Sequence, residues 1–341
     1  MEDGGGPSLL VSSLLVPLST RSSRGEDEEL DVALCFWTLA FFCFGFRTIW
    51  YLLRQMLRDT LNRYGITALI LAATLARASG AAEAPPAVDW LAQAQQAFRK
   101  GDLGQASDLA AKALEADPKN DQALYFRGRI SETQKNYAKA VTDYSRVIEL
   151  QPGSADGYQA RGACYFRMGE IEKSIADFDQ VIKLAPSQEP YHWQRGISHY
   201  YAGRFADGRK QFELHQRVNG NDVENAVWHF LCVARLDGIE AARVALIPIS
   251  GDKRVPMKEV HELFAGKGTE EAVLAAAKNG GGPQGDGMFY ARLYLGLYYE
   301  AIGAADKSLE QIRRAATEFK ADHYMGDVAR VHYKLRTSQK P

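Results

Sequence analysis

Pro118, Pro152 and Pro186 stand 34 residues apart, each closing a run of helix-forming residues: LEADPKN at 114–120, IELQPGS at 148–154 and IKLAPSQ at 182–188. A fixed interval held this well restricts the chain to stacked copies of one supersecondary unit. The same interval sorts residues by size. Ala94, Gly128, Gly162 and Gly196 form one small column, and Ala106, Ala140, Ser174 and Gly208 form another. Leu103, Tyr137, Ile171 and Phe205 are all apolar. Ala110, Tyr144, Phe178 and Phe212 make a fourth series, with Trp90, Leu124, Tyr158 and His192 a looser fifth.

Each unit holds two amphipathic stretches of about a dozen residues, apolar at i, i+3, i+4 and i+7. The Gly128 and Ala140 columns are expected on facing helices, where small side chains let the two backbones approach closely. The Tyr137 column opens the second helix and packs back on the first. The proline then stops the pair, because it lacks an N–H and disfavours helix in the residue before it. The fold class is therefore all-α: a solenoid of antiparallel helix pairs.

This pattern resembles the tetratricopeptide repeat, a helix–turn–helix unit of 34 residues. GACY (162–165) carries its glycine and tyrosine, and GISH (196–199) keeps the glycine alone. The resemblance covers four units over 87–220. The first is degenerate, with Ala94 and Ala97 at the glycine and tyrosine columns, and the fourth ends on Asn219-Gly220 instead of proline. A fifth unit begins near Phe289, where Gly296, Tyr299, Ser308 and Ile312 fall in register. Between them, 221–288 reads as a helical connecting region with short helices at about 257–264 and 269–278. The segment 289–336 reads as the fifth pair plus a capping helix, whose stripe is Tyr324, Val328, Val331 and Leu335. A capping helix with one apolar and one polar face is what a solenoid end needs. The competing use of the stripe is self-association into a homodimer.

The formal net charge is −1, with 24% charged residues, so there is no electrostatic footprint for nucleic acid. Four cysteines without a CxxC pair give no disulfide framework, and Cys164 and Cys232 read as free and buried.

The N-terminus has its own logic. MLRDTLNRYGITALILAATLARASGAAEAPP (56–86) has Arg58 and Arg63, then an apolar core at 66–76, then small residues. This is the layout of a secretory signal peptide, assigned to 56–84. Residues 1–55 are then either an untranslated stretch from a gene-start error or a membrane anchor through 32–53, where VALCFWTLAFFCFGF (32–46) lies. Membrane contact is expected only if 1–55 is translated. Either way the chain beyond about 85 is expected outside the cytoplasm, in the periplasm or an equivalent compartment. No cysteine follows the signal until Cys164, so a lipid anchor is not expected.

The order of parts over 88–335 is similar to the NlpI type of bacterial tetratricopeptide lipoprotein. That resemblance implies a periplasmic adaptor holding cell-wall hydrolases or a protease near their substrates. The missing lipid cysteine departs from it.

No HExxH, GxSxG or complete phosphate-binding loop occurs. GKGT (266–269) reads as a turn between short helices, and GGGPQGDG (280–287) as a linker. No histidine has the partners of a metal site. No catalytic residue, cofactor or metal is assigned. His199 is expected to be packed and hydrogen-bonded.

The informative surface is the concave face. Repeat register assigns to it Leu91, Gln95, Phe98, Tyr125, Arg129 and Glu132 in units one and two. In units three and four it assigns Gln159, Phe166, Arg167, Trp193, Ile197, Tyr200 and Tyr201. Of these, Phe98, Tyr125, Arg129, Phe166, Arg167, Trp193, Ile197, Tyr200 and Tyr201 are the candidate partner-binding residues. Aromatics with arginine are the composition of binding hot spots. The alternative is that helices within 222–335 fold over the face and bury these side chains. The expected function is a non-enzymatic scaffold for proteins or peptide segments. The alternatives are a structural subunit of an envelope assembly, or an enzyme hidden in 221–335.

Overall fold

The computed structural model describes residues 51–56, 58, 89–279 and 286–338. The chain divides into two compact units, Met1–Ala87 and Val88–Pro341. In the first, 51–56 are helical and exposed. Most of the upstream segment 1–55 and of the signal-like segment 56–84 lies outside the described residues, as does 280–285 of the glycine-rich linker.

The regular structure of the second unit is helical, with a non-helical stretch at 245–256, and no strand occurs among the described residues. Four pairs come first: α1 (Trp90–Arg99) with α2 (Leu103–Ala116), α3 (Asp121–Thr133) with α4 (Tyr137–Leu150), α5 (Ala155–Met168) with α6 (Ile171–Leu184), and α7 (Trp193–Tyr201) with α8 (Phe205–Gln216). A 3-10 turn at Pro186–Tyr191 separates the third pair from the fourth. Then come α9 (Val223–Asp237), α10 (Ile239–Val244), α11 (Met257–Phe264), α12 (Glu270–Asn279), α13 (Asp286–Ala301), α14 (Ala305–Glu318) and α15 (Tyr324–Ser338). None of the described helices is long and apolar enough to cross a membrane.

The columns have a physical cause. A Cβ on Gly128 would come within 2.7 Å of the Tyr144 ring, on Gly162 within 2.9 Å of Phe178, and on Gly196 within 2.7 Å of Phe212. The glycine thus makes room for the ring of its own pair. This refines the expectation that glycine would chiefly face the other small column, although a Cβ on Gly208 would indeed lie 3.4 Å from the Gly196 carbonyl. The fifth pair repeats the device: a Cβ on Gly296 would meet Ile312 at 2.5 Å, and Ser308 Oγ donates to the Gly296 carbonyl at 2.8 Å.

The turn inside each pair needs a left-handed residue. Gly101, Gly169, Gly203 and Gly303 hold φ between 74° and 81°, and Lys135 takes the same role in unit two at φ 61°. In GKGT, Gly266 turns at φ 74° and Thr269 Oγ1 accepts from Ala272 N–H at 3.2 Å, starting α12.

The apolar core is not uniform. Units one and two hold small separate clusters, one around Ala94, Phe126 and Ile130, another around Leu124 and Val147. From Phe166 onward a single continuous core runs through α9, α11, α13 and α14 to Val331 in α15.

Candidate functional site

The first helices of the pairs form one layer, and α15 packs against α5 on that layer's concave side. Two regions of the face result.

In units three and four the face is occupied. Tyr324, at the start of α15, stacks on Phe166 with ring centres 5.2 Å apart and meets Trp193 edge-on at 5.0 Å. Phe166, Ile197 and Tyr200 are 0%, 1% and 2% exposed. Tyr200 is enclosed by Trp228, Phe205 and Tyr201, and burial raises its hydroxyl pKa. Of the two alternatives for this face, filling from within the chain holds here. Phe166, Trp193, Ile197, Tyr200 and Tyr201 serve the core between the fourth unit and the C-terminal helices. The cause is the α15 stripe: Val328 and Val331 are buried, so the helix seats its apolar side in the groove as well as covering the fifth pair.

Polar contacts lock α15 in place. Arg167 Nε donates to Asp327 Oδ2 at 2.6 Å and Nη1 to Glu132 Oε1 at 2.8 Å, with the guanidinium over the Tyr137 ring. Burial opposes the Arg167 charge, but Asp327 and Glu132 outweigh it and raise its pKa. Arg330 holds the other Asp327 oxygen at 2.7 Å. Arg167 is therefore a tie between units two, three and α15. Further along, His332 lies between Tyr201 Oη (3.0 Å from Nδ1) and Glu300 Oε2 (3.0 Å from Nε2). The carboxylate accepts only, so Nε2 carries a proton and, in the neutral ring, Nδ1 accepts from Tyr201. Burial works against the Glu300 charge, yet His332 and Arg336 prevail and hold its carboxyl down at about 2.

In units one and two the face stays accessible. Phe98 and Tyr125 are half-buried and Arg129 is exposed. Phe98 packs edge-on against Phe126 at 5.5 Å, and the Arg129 guanidinium sits 5.8 Å over the Phe98 ring. Tyr125 leans on Tyr144, whose hydroxyl donates to Glu132 at 2.9 Å. At the edge of units three and four, away from α15, Gln159 Nε2 donates to Gln194 Oε1 at 2.6 Å, and both side chains are half-buried.

Sequence reading missed a further column. Arg127 and Arg161 clamp Asp143 and Asp177 through two hydrogen bonds each, at 2.6–2.9 Å, tying first helix to second. In unit four Arg195 reaches Gln211 at 3.0 Å and Asp179 at 2.7 Å. The 34-residue spacing of Arg127, Arg161 and Arg195 was the available signal. His199 is packed, but neither ring nitrogen has a hydrogen-bond partner among the described residues. His192, seven residues earlier, is in the same condition and packs on Phe178 at 4.6 Å. Cys164 and Cys232 are free and buried, and burial pushes the Cys164 thiol up to about 12, so neither is a nucleophile at neutral pH.

Residues 91–155 match one tetratricopeptide-repeat family model and residues 155–188 another. The Protein SGT1 homolog of Oryza sativa subsp. japonica is 32% identical over 84 residues, which are 25% of this chain and 23% of that protein. The chain thus spans about a quarter of that relative's length. Among solved structures, a tetratricopeptide repeat protein from Parabacteroides merdae aligns with 73% of this chain and 98% of its own, at 15% identity and a TM-score of 0.50. PilW, a type IV pilus biogenesis factor, aligns with 70% of this chain and 96% of its own, at 17% identity and a TM-score of 0.43. Family models over 91–188, the glycine-and-ring columns and the stacked helix pairs converge: the chain carries an array of tetratricopeptide repeats.

Proposed function

We propose that the chain is a non-enzymatic scaffold that holds an extended segment of a partner protein along the concave face of units one and two. Tetratricopeptide arrays are interaction scaffolds because stacking creates an extended concave surface. One observation carries the location. Phe98, Tyr125 and Arg129 stay accessible on that face, while the equivalent surface of units three and four is already occupied by α15. An exposed guanidinium over a ring suits a segment that offers an acidic side chain beside an apolar or aromatic one.

The test is selection of displayed peptides on the full chain, followed by affinity measurement on the triple variant Phe98→Ala, Tyr125→Ala, Arg129→Ala. Truncation of a hot-spot side chain costs about 2 kcal/mol or more, roughly thirtyfold, so the variant should lose binding while keeping its helical circular dichroism. Selected peptides that bind the folded variant as well as the parent would move the site elsewhere.

The finer reading is an adaptor in the bacterial cell envelope, exported by the signal-like segment 56–84. It is supported by that segment's layout and by the similarity in order of parts to the NlpI type. N-terminal sequencing of the exported form tests it: material beginning upstream of Met56 would favour the anchored alternative. A homodimer through the last helix is not favoured, because Val328 and Val331 are already buried within the chain.

A further inference from the structure

A cavity of about 350 Å³ lies among α7, α8, α9, α13 and α15. Its size is at the lower end of small-molecule pockets, roughly 300–1,000 Å³. Its walls carry the rings of Trp193, Phe212, Trp228, Tyr290 and Tyr324, and the imidazoles of His215 and His323. At one side Arg254 is surrounded by carboxylates: Asp222 at 2.5 Å, Glu224 at 2.5 Å and Asp252 at 2.6 Å. Three carboxylates against one guanidinium leave an excess of negative charge beside the aromatic walls. Nε, Nη1 and Nη2 of Arg254 all donate to these carboxylates.

Asn225 Oδ1, Trp228 Nε1 and His323 Nε2, all on lining residues, are buried without a hydrogen-bond partner among the described residues, and the two on α9 add an independent constraint. Asn225 and Trp228 both line the cavity, three residues apart on one face of α9. They are 3% and 2% exposed. Asn225 Nδ2 is spent on the Phe212 carbonyl at 3.2 Å and on Gln216 Oε1 at 3.0 Å, which fixes the amide and leaves Oδ1 without a donor among the described residues. Trp228 Nε1–H has no acceptor among the described residues. Buried polar groups are nearly always satisfied, so each unsatisfied one calls for a partner. On α9 the missing partners are a donor for Asn225 and an acceptor for Trp228.

We propose that this cavity binds a primary ammonium or guanidinium group carried with a nearby carbonyl or carboxylate oxygen, the chemistry of a basic amino acid, free or as a lysine or arginine residue of a peptide. The cation is attracted by ring faces and by the excess of carboxylate charge. Its N–H reaches Asn225 Oδ1, and its oxygen accepts from Trp228. The site is separate from the face of units one and two and does not depend on the reading given to that face.

The experiment is calorimetric titration of the full chain with L-arginine, L-lysine and N-acetyl-L-arginine amide. L-norleucine serves as the uncharged counterpart of lysine. At least one of the three cations is expected to bind saturably, and at least about tenfold more tightly than norleucine. Binding of the free amino acids alone assigns a free ligand, and binding of the capped form alone assigns a peptide residue. Both outcomes support the site. Glu224→Gln, which keeps an acceptor for Tyr294 but removes the charge, should weaken binding at least about tenfold. If that variant does not fold, Tyr290→Leu removes a half-buried wall and should weaken it likewise. The proposal is overturned if norleucine binds as tightly as the cations, or if none of the three binds. It is equally overturned if a folded Glu224→Gln or Tyr290→Leu chain binds them unchanged.

Discussion

Units one and two of the array are organised locally, while units three and four depend on segments more than a hundred residues away. Every helix from α1 to α5 begins with a side chain that accepts a hydrogen bond from its first turn: Asp89, Asp102, Asn120, Asn136 and Ser154. Helices α6, α7 and α8 have no such cap. A lost cap costs about 1 kcal/mol, so the later helices need another source of stability. They draw it from burial. Tyr201 meets His332, Phe166 meets Tyr324 and Arg167 meets Asp327, all across long separations in sequence. Unit four, with neither helix capped, and unit three, with only α5 capped, are the units whose concave face is filled. An array whose helices start themselves can leave its groove free, whereas one stabilised through its groove cannot.

The strongest way to break this comparison is to remove α15. Truncation after Ala321 takes away Tyr324, Val328 and Val331 together. Losing one large buried aromatic already costs about 3–5 kcal/mol, so the truncated chain should lose at least that much. Hydrogen exchange should speed up across α5, α7 and α9, while α1 to α4 keep their protection. Uniform loss across all units, or none, would mean that the two regions are not distinct.

Acid should act on the same half. All seven histidines lie at or beyond His192, none in units one to three before that point. Burial, the largest cause, lowers the pKa of both His192 and His199 to about 4. Below the ordinary value near 6.5 the unfolded chain takes up protons that the folded chain refuses, so stability falls as pH drops from about 6.5 to 4. At 1.36 kcal/mol per unit, each ring contributes at most roughly 3 kcal/mol to that loss. Denaturant titrations at pH 7 and pH 5 should show the decline, and His199→Phe should flatten it. A slope unchanged in that variant would remove His199 as a cause.

The repeat itself was legible because it is local. Columns spaced by 34 set the helix pairs, and Gly296 with Ile312 marked a fifth one across an irregular stretch. The candidate face was legible only in part. Arg167 and Trp193 sit at register positions that read as groove lining, and they do line it. Their occupant was not legible: the α15 stripe announces an apolar side but not which surface receives it. Caps and left-handed turns follow the same 34-residue spacing and were readable in principle, as Asp102 with Asn136 and Gly101 with Gly169 illustrate.

A third prediction asks whether the glycine-and-ring crossing is equally stiff in both regions. A Cβ at Gly128 or at Gly196 would come to 2.7 Å of a ring. Alanine gains about 1 kcal/mol of helix propensity over glycine, set against about 1–3 kcal/mol for overpacking. The ring decides the balance. Tyr144 is tethered through its hydroxyl to Glu132 at 2.9 Å, whereas Phe212 borders the cavity among α7, α8 and α9 and has room to shift. Gly128→Ala should therefore destabilise by about 1 kcal/mol more than Gly196→Ala in urea unfolding. Equal costs would show that the tether does not matter.

The smallest effect concerns the one intra-pair turn that breaks the glycine rule. Lys135 holds φ 61° where Gly101, Gly169 and Gly203 stand in the other units. A left-handed conformation costs a residue with a Cβ roughly 1–2 kcal/mol. Glycine removes that cost but gains freedom in the unfolded chain, worth about 0.4–1 kcal/mol in the opposite direction. Lys135→Gly should then stabilise unit two by roughly 0.5–1 kcal/mol relative to Lys135→Ala. Alanine is the proper reference because both variants lose the exposed ion pair between Lys135 and Asp322, 2.9 Å apart, and only glycine gains the backbone freedom. Among the described residues, the ion pair also links the tip of unit two's turn to the segment that leads into α15. If Lys135→Ala leaves the melting point where it was, that contact does not seat the helix, and the apolar stripe with Arg167 does. If instead Lys135→Ala loosens α15 in hydrogen exchange while Lys135→Gly restores nothing, the turn's charge outweighs its backbone. Unit two would then be coupled to the C-terminal helix more tightly than its separate core suggests.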